Sequence, residues 1–122
     1  MVDSAQFFKI CEVNELALGQ THSFQLELGE LEVAGFVLNW QGQFYAYQNR
    51  CPHLGVNMDW APNQFFDAEH RFIQCTMHGA LFEPNNGFCI RGPCLGLSLT
   101  ALGIVILDQI IYLDLDNVFI DP

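Results

Sequence analysis

An apolar–polar alternation with a period of two is the feature that most limits the folds open to this chain. Phe24, Leu26 and Leu28 alternate with Gln25 and Glu27, the pattern of a half-buried strand, and Leu31 and Val33 continue it beyond a turn at Gly29-Glu30. Residues 36–38 and 44–47 read as two more strands, joined by a hairpin turn over Asn39-Trp40-Gln41-Gly42. An opening strand is expected around residues 7–13. Residues 50–65 break the rhythm with Pro52, Gly55 and Pro62, so they read as loop with at most one helical turn. Regular structure resumes at residues 71–75. Residues 81–83 and 88–90 flank Pro84-Asn85-Asn86-Gly87, a second hairpin signal, and Gly92-Pro93-Cys94-Leu95-Gly96 is a constrained loop. The chain closes with residues 97–107, the pair Asp108-Gln109, and residues 110–115. Leu97, Leu99, Ala101, Gly103, Val105 and Leu107 are expected to share one face. Short strands and frequent turns predict an all-β fold, a sandwich or barrel of antiparallel sheets.

A length of 122 residues favours a single domain spanning 1–122. No repeat or linker divides it. Hydrophobic residues make up 51% of the chain and charged residues 15%, the reverse of a disordered composition. Four Lys and Arg against 14 Asp and Glu give a formal net charge of −10. That balance argues against nucleic acid and anionic membrane surfaces, both of which need cationic contacts. It suits a protein steered toward basic partners, although solubility alone explains it equally well. The sequence from Met1 has no cationic segment followed by an apolar run, and residues 97–113 are too interrupted for a spanning helix. A cytoplasmic location is therefore expected. Five cysteines, Cys11, Cys51, Cys75, Cys89 and Cys94, do not suggest a disulfide framework; in a reducing compartment they are core residues, metal ligands or reactive thiols.

Two short motifs carry the chemistry. Cys51-Pro52-His53 is a C-x-H and is followed by Leu54-Gly55; Cys75-Thr76-Met77-His78 is a C-x-x-H and is followed by Gly79-Ala80. Together they supply two thiolates and two imidazoles, a donor set suited to zinc or to an iron–sulfur cluster. One zinc ion would use all four donors at once.

The surrounding sequence resembles the Rieske [2Fe–2S] family, whose two loops read C-x-H-x-G and C-x-x-H-G. The similarity extends to Asn49-Arg50, to Ala80-Leu81-Phe82-Glu83 with Asn86-Gly87, and to Gly92-Pro93, which matches the family's proline loop. It runs from about residue 35 to residue 115. The resemblance implies Cys51 and Cys75 on an inner iron and His53 and His78 on an outer one. It implies that Leu54, Gly55, Met77, Gly79 and Pro93 surround one [2Fe–2S] cluster. It also implies stacked antiparallel sheets, with a small cluster-binding tip formed by two loops within a subdomain of about residues 50–96. Membrane-bound respiratory members carry an extra Cys in each loop; here Leu54-Gly55 and Thr76-Met77 stand there, so the match is to the soluble ferredoxin-like branch. The 21 residues between His53 and Cys75 are more than is usual in that branch, which bears on the partner rather than on the cluster.

Charge counting supports the redox consequence. Two ferric ions and two sulfides sum to plus two, two thiolates cancel that, and neutral imidazoles add nothing, so the oxidised centre is neutral and easily accepts an electron. His₂ ligation accordingly raises the potential to roughly −150 to +300 mV. High-potential relatives place a Ser after the second loop's Gly; Ala80 stands there, so a midpoint in the lower part is expected. Exposed rings at His53 and His78 would lose their second proton at alkaline pH and lower the potential there.

The expected function is one-electron transfer between a flavin-dependent reductase and an oxygenase, by a monomer or weak oligomer rather than by an enzyme. A small subunit of a nitrite-reductase-like assembly, a redox sensor and a structural zinc module are the other readings. Cys89 and Cys94 read as buried thiols in preference to a redox pair, Cys11 as core, and His22 and His70 as exposed. Trp60 and Met58 are candidates for shielding the cluster or for a docking surface, whereas Trp40 is expected to pack at its hairpin.

Overall fold

The alternation resolves into nine strands among the residues described by the computed structural model, which are 7–28, 30–50, 66, 71–75, 80–92 and 96–118. β1 (Phe7–Glu12) covers the expected opening strand up to Val13, where a short 3₁₀ turn (Val13–Glu15) begins. β2 (Thr21–Leu28) and β3 (Leu31–Trp40) form an antiparallel hairpin with Leu28 opposite Leu31. Leu31 and Val33 therefore do not prolong the strand of Phe24; they run back beside it and share one ten-residue strand with Phe36 and Leu38.

β4 (Gln43–Gln48) follows the two-residue turn Gln41-Gly42, with Trp40 paired to Gln43. The turn is shorter than expected because Asn39 and Trp40 stay in the ladder. Gln41 has φ 55° and Gly42 φ 85°, the pairing of signs whose twist matches the flanking strands. Asn39 is buried, and its side chain is fully engaged. Its Nδ2 donates to the Leu16 carbonyl at 2.9 Å and its Oδ1 accepts from the Gly42 N–H at 3.1 Å.

The remaining strands are β5 (Ile73–Gln74), β6 (Leu81–Phe82), β7 (Cys89–Arg91), β8 (Leu102–Leu107) and β9 (Ile110–Val118). They complete three antiparallel sheets among the described residues, ordered β1-β9-β8, β2-β3-β4 and β5-β6-β7.

The middle of β3 explains the stacking. Phe36, Val37 and Leu38 are all buried, so both faces of this sheet are covered. Phe36 and Leu38 join Tyr47, Ile73, Phe82, Cys89 and Leu99 in one core, with Trp40 at its margin as expected. Val37 and Ala46 join Cys11, Leu102, Ile111 and Leu113 in a second core on the other face. Cys11 is thus a core residue, and burial raises its thiol pKa. His22, expected to be exposed, is half-buried on β2.

Residues 97–107 do not form one strand. The Cys89 N–H donates to the Leu97 carbonyl and the Leu99 N–H to the Gly87 carbonyl, each at 2.9 Å, so this part lies along the β6–β7 hairpin. The expected common face fails: Leu99 is buried, whereas Leu97, Ala101 and Leu107 are exposed. The chain changes sheets before Leu102, and a bulge then shifts the register, with Leu102 opposite Val118 and Ile104 opposite Leu113. Asp108 and Gln109 make the expected turn between β8 and β9, both with positive φ.

Candidate metal centre

Three segments, one from the β2-β3-β4 sheet and two from the β5-β6-β7 sheet, border the first core. β4 delivers the chain toward the first motif. The Gln48 N–H donates to the Thr100 carbonyl at 2.9 Å, the Asn49 N–H to the Ala34 carbonyl at 2.8 Å, and the Arg50 N–H to the Gln48 carbonyl at 2.9 Å. Gln48 and Asn49 are both buried. The backbone is thus held on two sides up to the residue before Cys51.

The second motif begins at Cys75, directly after β5. Its side chain is buried in the first core beside Ala80 and Phe82. The Cys75 N–H donates to the Ala80 carbonyl at 2.9 Å, closing the base of the four-residue segment Thr76-Met77-His78-Gly79. β5 and β6 pair Ile73 with Phe82 and Gln74 with Leu81, so Cys75 falls opposite Ala80.

The third segment follows β7. Gly92 has φ 99° and lies so close to Ala80 that an added Cβ would come within 2.8 Å of the Ala80 Cα. The constrained loop read at Gly92-Pro93 therefore starts directly against the base of the second motif. Only glycine combines this φ with this approach.

Tyr47 ties the layers together. Its hydroxyl donates to the Pro84 carbonyl at 2.7 Å, linking β4 to the β6–β7 turn. Its ring packs on Phe36, with centroids 6.0 Å apart. Burial holds its phenol well above the ordinary tyrosine pKa, with a smaller contribution from Tyr45. Sequence reading assigned Tyr47 only to a strand, because the partner lies 37 residues away and is a backbone carbonyl.

Of the residues expected to hold or surround a cluster, Cys75 is described, and its burial fits an inner ligand. Cys51, His53, Leu54, Gly55, Met77, His78, Gly79 and Pro93 lie outside the described residues, as do Met58, Trp60, His70 and Cys94. Among the described residues no three His, Cys, Asp or Glu side chains gather as metal ligands. No helix among them is long and apolar enough to cross a membrane. The donor set nonetheless fits the centre. Two Cys and two His, divided equally between two short motifs, are the donors that a two-iron cluster with mixed ligation requires.

The chain is similar in fold to ferredoxins of known structure. It matches the ferredoxin of carbazole 1,9a-dioxygenase from Nocardioides aromaticivorans IC177 with a TM-score of 0.66 at 21% identity, covering 88% of this chain and 96% of that one. It matches the Sphingomonas yanoikuyae B1 ferredoxin with a TM-score of 0.66 at 20% identity over 88% of this chain and 96% of that one. A chain in a complex of reduced oxygenase and oxidized ferredoxin in carbazole 1,9a-dioxygenase gives a TM-score of 0.70 at 19% identity, with 90% and 94% covered. Comparison with curated proteins by sequence returns no match. The profile of the Rieske [2Fe-2S] domain matches residues 6–102, from the start of β1 to the start of β8. That span includes both cysteine–histidine motifs and all three converging segments, and the chain belongs to the Rieske [2Fe–2S] domain family, whose members bind one such cluster.

Proposed function

We propose that this protein is a one-electron carrier, with Cys51 and Cys75 holding the inner iron of its cluster and His53 and His78 the outer one. The observation that carries this reading is the seating of Cys75. Its side chain is buried in the core, and its N–H closes the loop that ends in His78 and Gly79. The cluster, when bound, supplies a reversible one-electron couple.

The chain's own residues keep that centre rigid and partly dry. Gly92 against Ala80 holds the base of the proline loop beside the second motif, with Leu54, Gly55, Met77, Gly79 and Pro93 as the surrounding shell. Ala80 offers no hydroxyl, so the shell favours the reduced state less than one with Ser there, and the midpoint belongs in the lower part of the family's span. We place residues 50–96 as the cluster-binding part of one domain, 1–122. No substrate pocket is assigned, and the protein is a carrier rather than an enzyme.

The partners are a flavin-dependent reductase as donor and a terminal oxygenase as acceptor. This reading draws on the ferredoxin of carbazole 1,9a-dioxygenase, which the chain resembles in fold and nearly spans. It places the protein in the cytoplasm, as a monomer or weak oligomer. The test is anaerobic stopped-flow mixing of the pre-reduced protein with a ring-hydroxylating oxygenase. Rapid reoxidation coupled to oxygenase reduction is expected. A reduced protein that transfers no electron to oxygenases and takes none from reductases contradicts the carrier role.

A further inference from the structure

The β7 strand contains one more residue than its partner requires. Phe82 pairs with Cys89, but Leu81 pairs with Arg91, so Ile90 is the extra residue of a β-bulge and is exposed. The bulge has a specific consequence for the metal centre. In a regular ladder, Ile90 would face Leu81 and Arg91 would face Ala80. With the bulge, Gly92 takes the place opposite Ala80, where a Cβ would come within 2.8 Å of backbone. Ala80 also accepts the hydrogen bond from Cys75, so the register of this bulge decides what packs against the base of the ligand loop. Arg91 at that place would have to move the backbone.

One side chain spans the bulge. Cys89 is completely buried in the first core, and its Sγ–H donates to the Arg91 carbonyl at 3.2 Å. It thus engages a carbonyl of the bulged segment itself. We infer that Cys89 is a positioning residue: its thiol locks the Ile90 bulge in the register that seats Gly92 on Ala80, the residue that closes the base of the second motif. The inference rests on the cluster reading above and adds to it a role for a cysteine that ligates nothing.

Loss of the donor frees the bulge to shift. Water then reaches the centre more easily, which stabilises the more negative reduced state and raises the midpoint. A cysteine that merely fills space has no such effect once its volume is replaced.

The test compares anaerobically purified wild-type holoprotein with Cys89→Ala, Cys89→Val and Cys89→Ser. The readouts are the rate of cluster loss to an iron chelator, followed by visible absorbance, and the midpoint potential, followed by EPR. Losing one hydrogen bond should speed cluster loss by about 2- to 10-fold in the alanine variant and raise its midpoint. Cys89→Val, one methyl group larger than cysteine, fills the site without a donor and should behave like alanine, which preserves the comparison if the smaller side chain prevents folding. Cys89→Ser restores a donor and should return both readouts toward wild type. Valine matching wild type, or serine failing as badly as alanine, overturns the inference and leaves the cluster reading standing. A wild type without a Rieske-type signal overturns both.

Discussion

Tyr47 and Gly92 show how single residues tie together the segments that flank the cysteine–histidine motifs. Tyr47→Phe leaves the buried Pro84 carbonyl without its donor, which should cost about 1–3 kcal/mol in chemical denaturation. The same variant should change the alkaline limb of stability. The phenol's pKa is raised in the folded state, so the native chain keeps a proton that the unfolded chain releases. Stability from this group is therefore complete below the unfolded tyrosine pKa, near 10, and falls as pH rises above it. Its slope approaches about 1.4 kcal/mol per pH unit, and Tyr47→Phe should remove that one-proton component from the wild-type profile. Equal slopes in the two proteins would mean that Tyr47 titrates normally. At Gly92, alanine meets both an unfavourable φ and the Ala80 backbone. Gly92→Ala should therefore destabilise by roughly 2–4 kcal/mol in the same assay. A change near zero would show that the two loops are not in close contact.

Among the elements, the hairpins are where local chemistry and tertiary structure agree least. The β8–β9 turn uses Asp108 at φ 50° and Gln109 at φ 65°, where glycine is usual in the second position. The Gln109 carbonyl still accepts from the Val13 N–H at 2.8 Å, and that contact needs no side chain. Gln109→Gly should raise stability by about 0.5–1 kcal/mol, measured by denaturant midpoint at unchanged slope. A loss would mean that the turn is not left-handed at this residue. These elements also mark what could be read from residues alone. The hairpins of residues 81–90 and 102–115 were legible because proline, asparagine and glycine, or two polar residues, interrupt apolar alternation. The doubly buried centre of β3 was legible as a strand, but its union with Leu31 and Val33 was not, since alternation carries no direction. The one-residue bulge at Ile90 and the larger register shift after Leu102 were invisible, because a slip depends on what the partner strand offers. The slip at Ile90 is what sets Gly92 over Ala80.

At the scale of the whole molecule, the described residues form three antiparallel sheets packed around two cores. β4, β5 and β7 belong to two different sheets, yet their exits meet over one core because Tyr47, Cys75, Ala80 and Cys89 share it. The two cysteine–histidine motifs were legible as motifs, since thiolates and imidazoles at short spacing are a donor set that metal chemistry uses. The backbone bonds that brace them were not, since almost any side chain serves there. A net charge of −10 gives the whole surface a long-range field suited to a basic partner. Electron exchange with such a partner should slow steeply as ionic strength rises from about 0.01 to 0.15 M, over which the screening length shrinks from about 30 to 8 Å. Rates independent of salt would assign the charge to solubility alone. The central claim, that the two motifs hold a redox-active two-iron cluster, is tested most directly by assaying iron, acid-labile sulfide and zinc in anaerobically purified protein and recording EPR after dithionite reduction. The prediction is two irons and two sulfides per chain, with a rhombic signal of average g below that of all-cysteine clusters and a midpoint below about 0 mV. Stoichiometric zinc without sulfide or signal, persisting after cluster reconstitution, would contradict it.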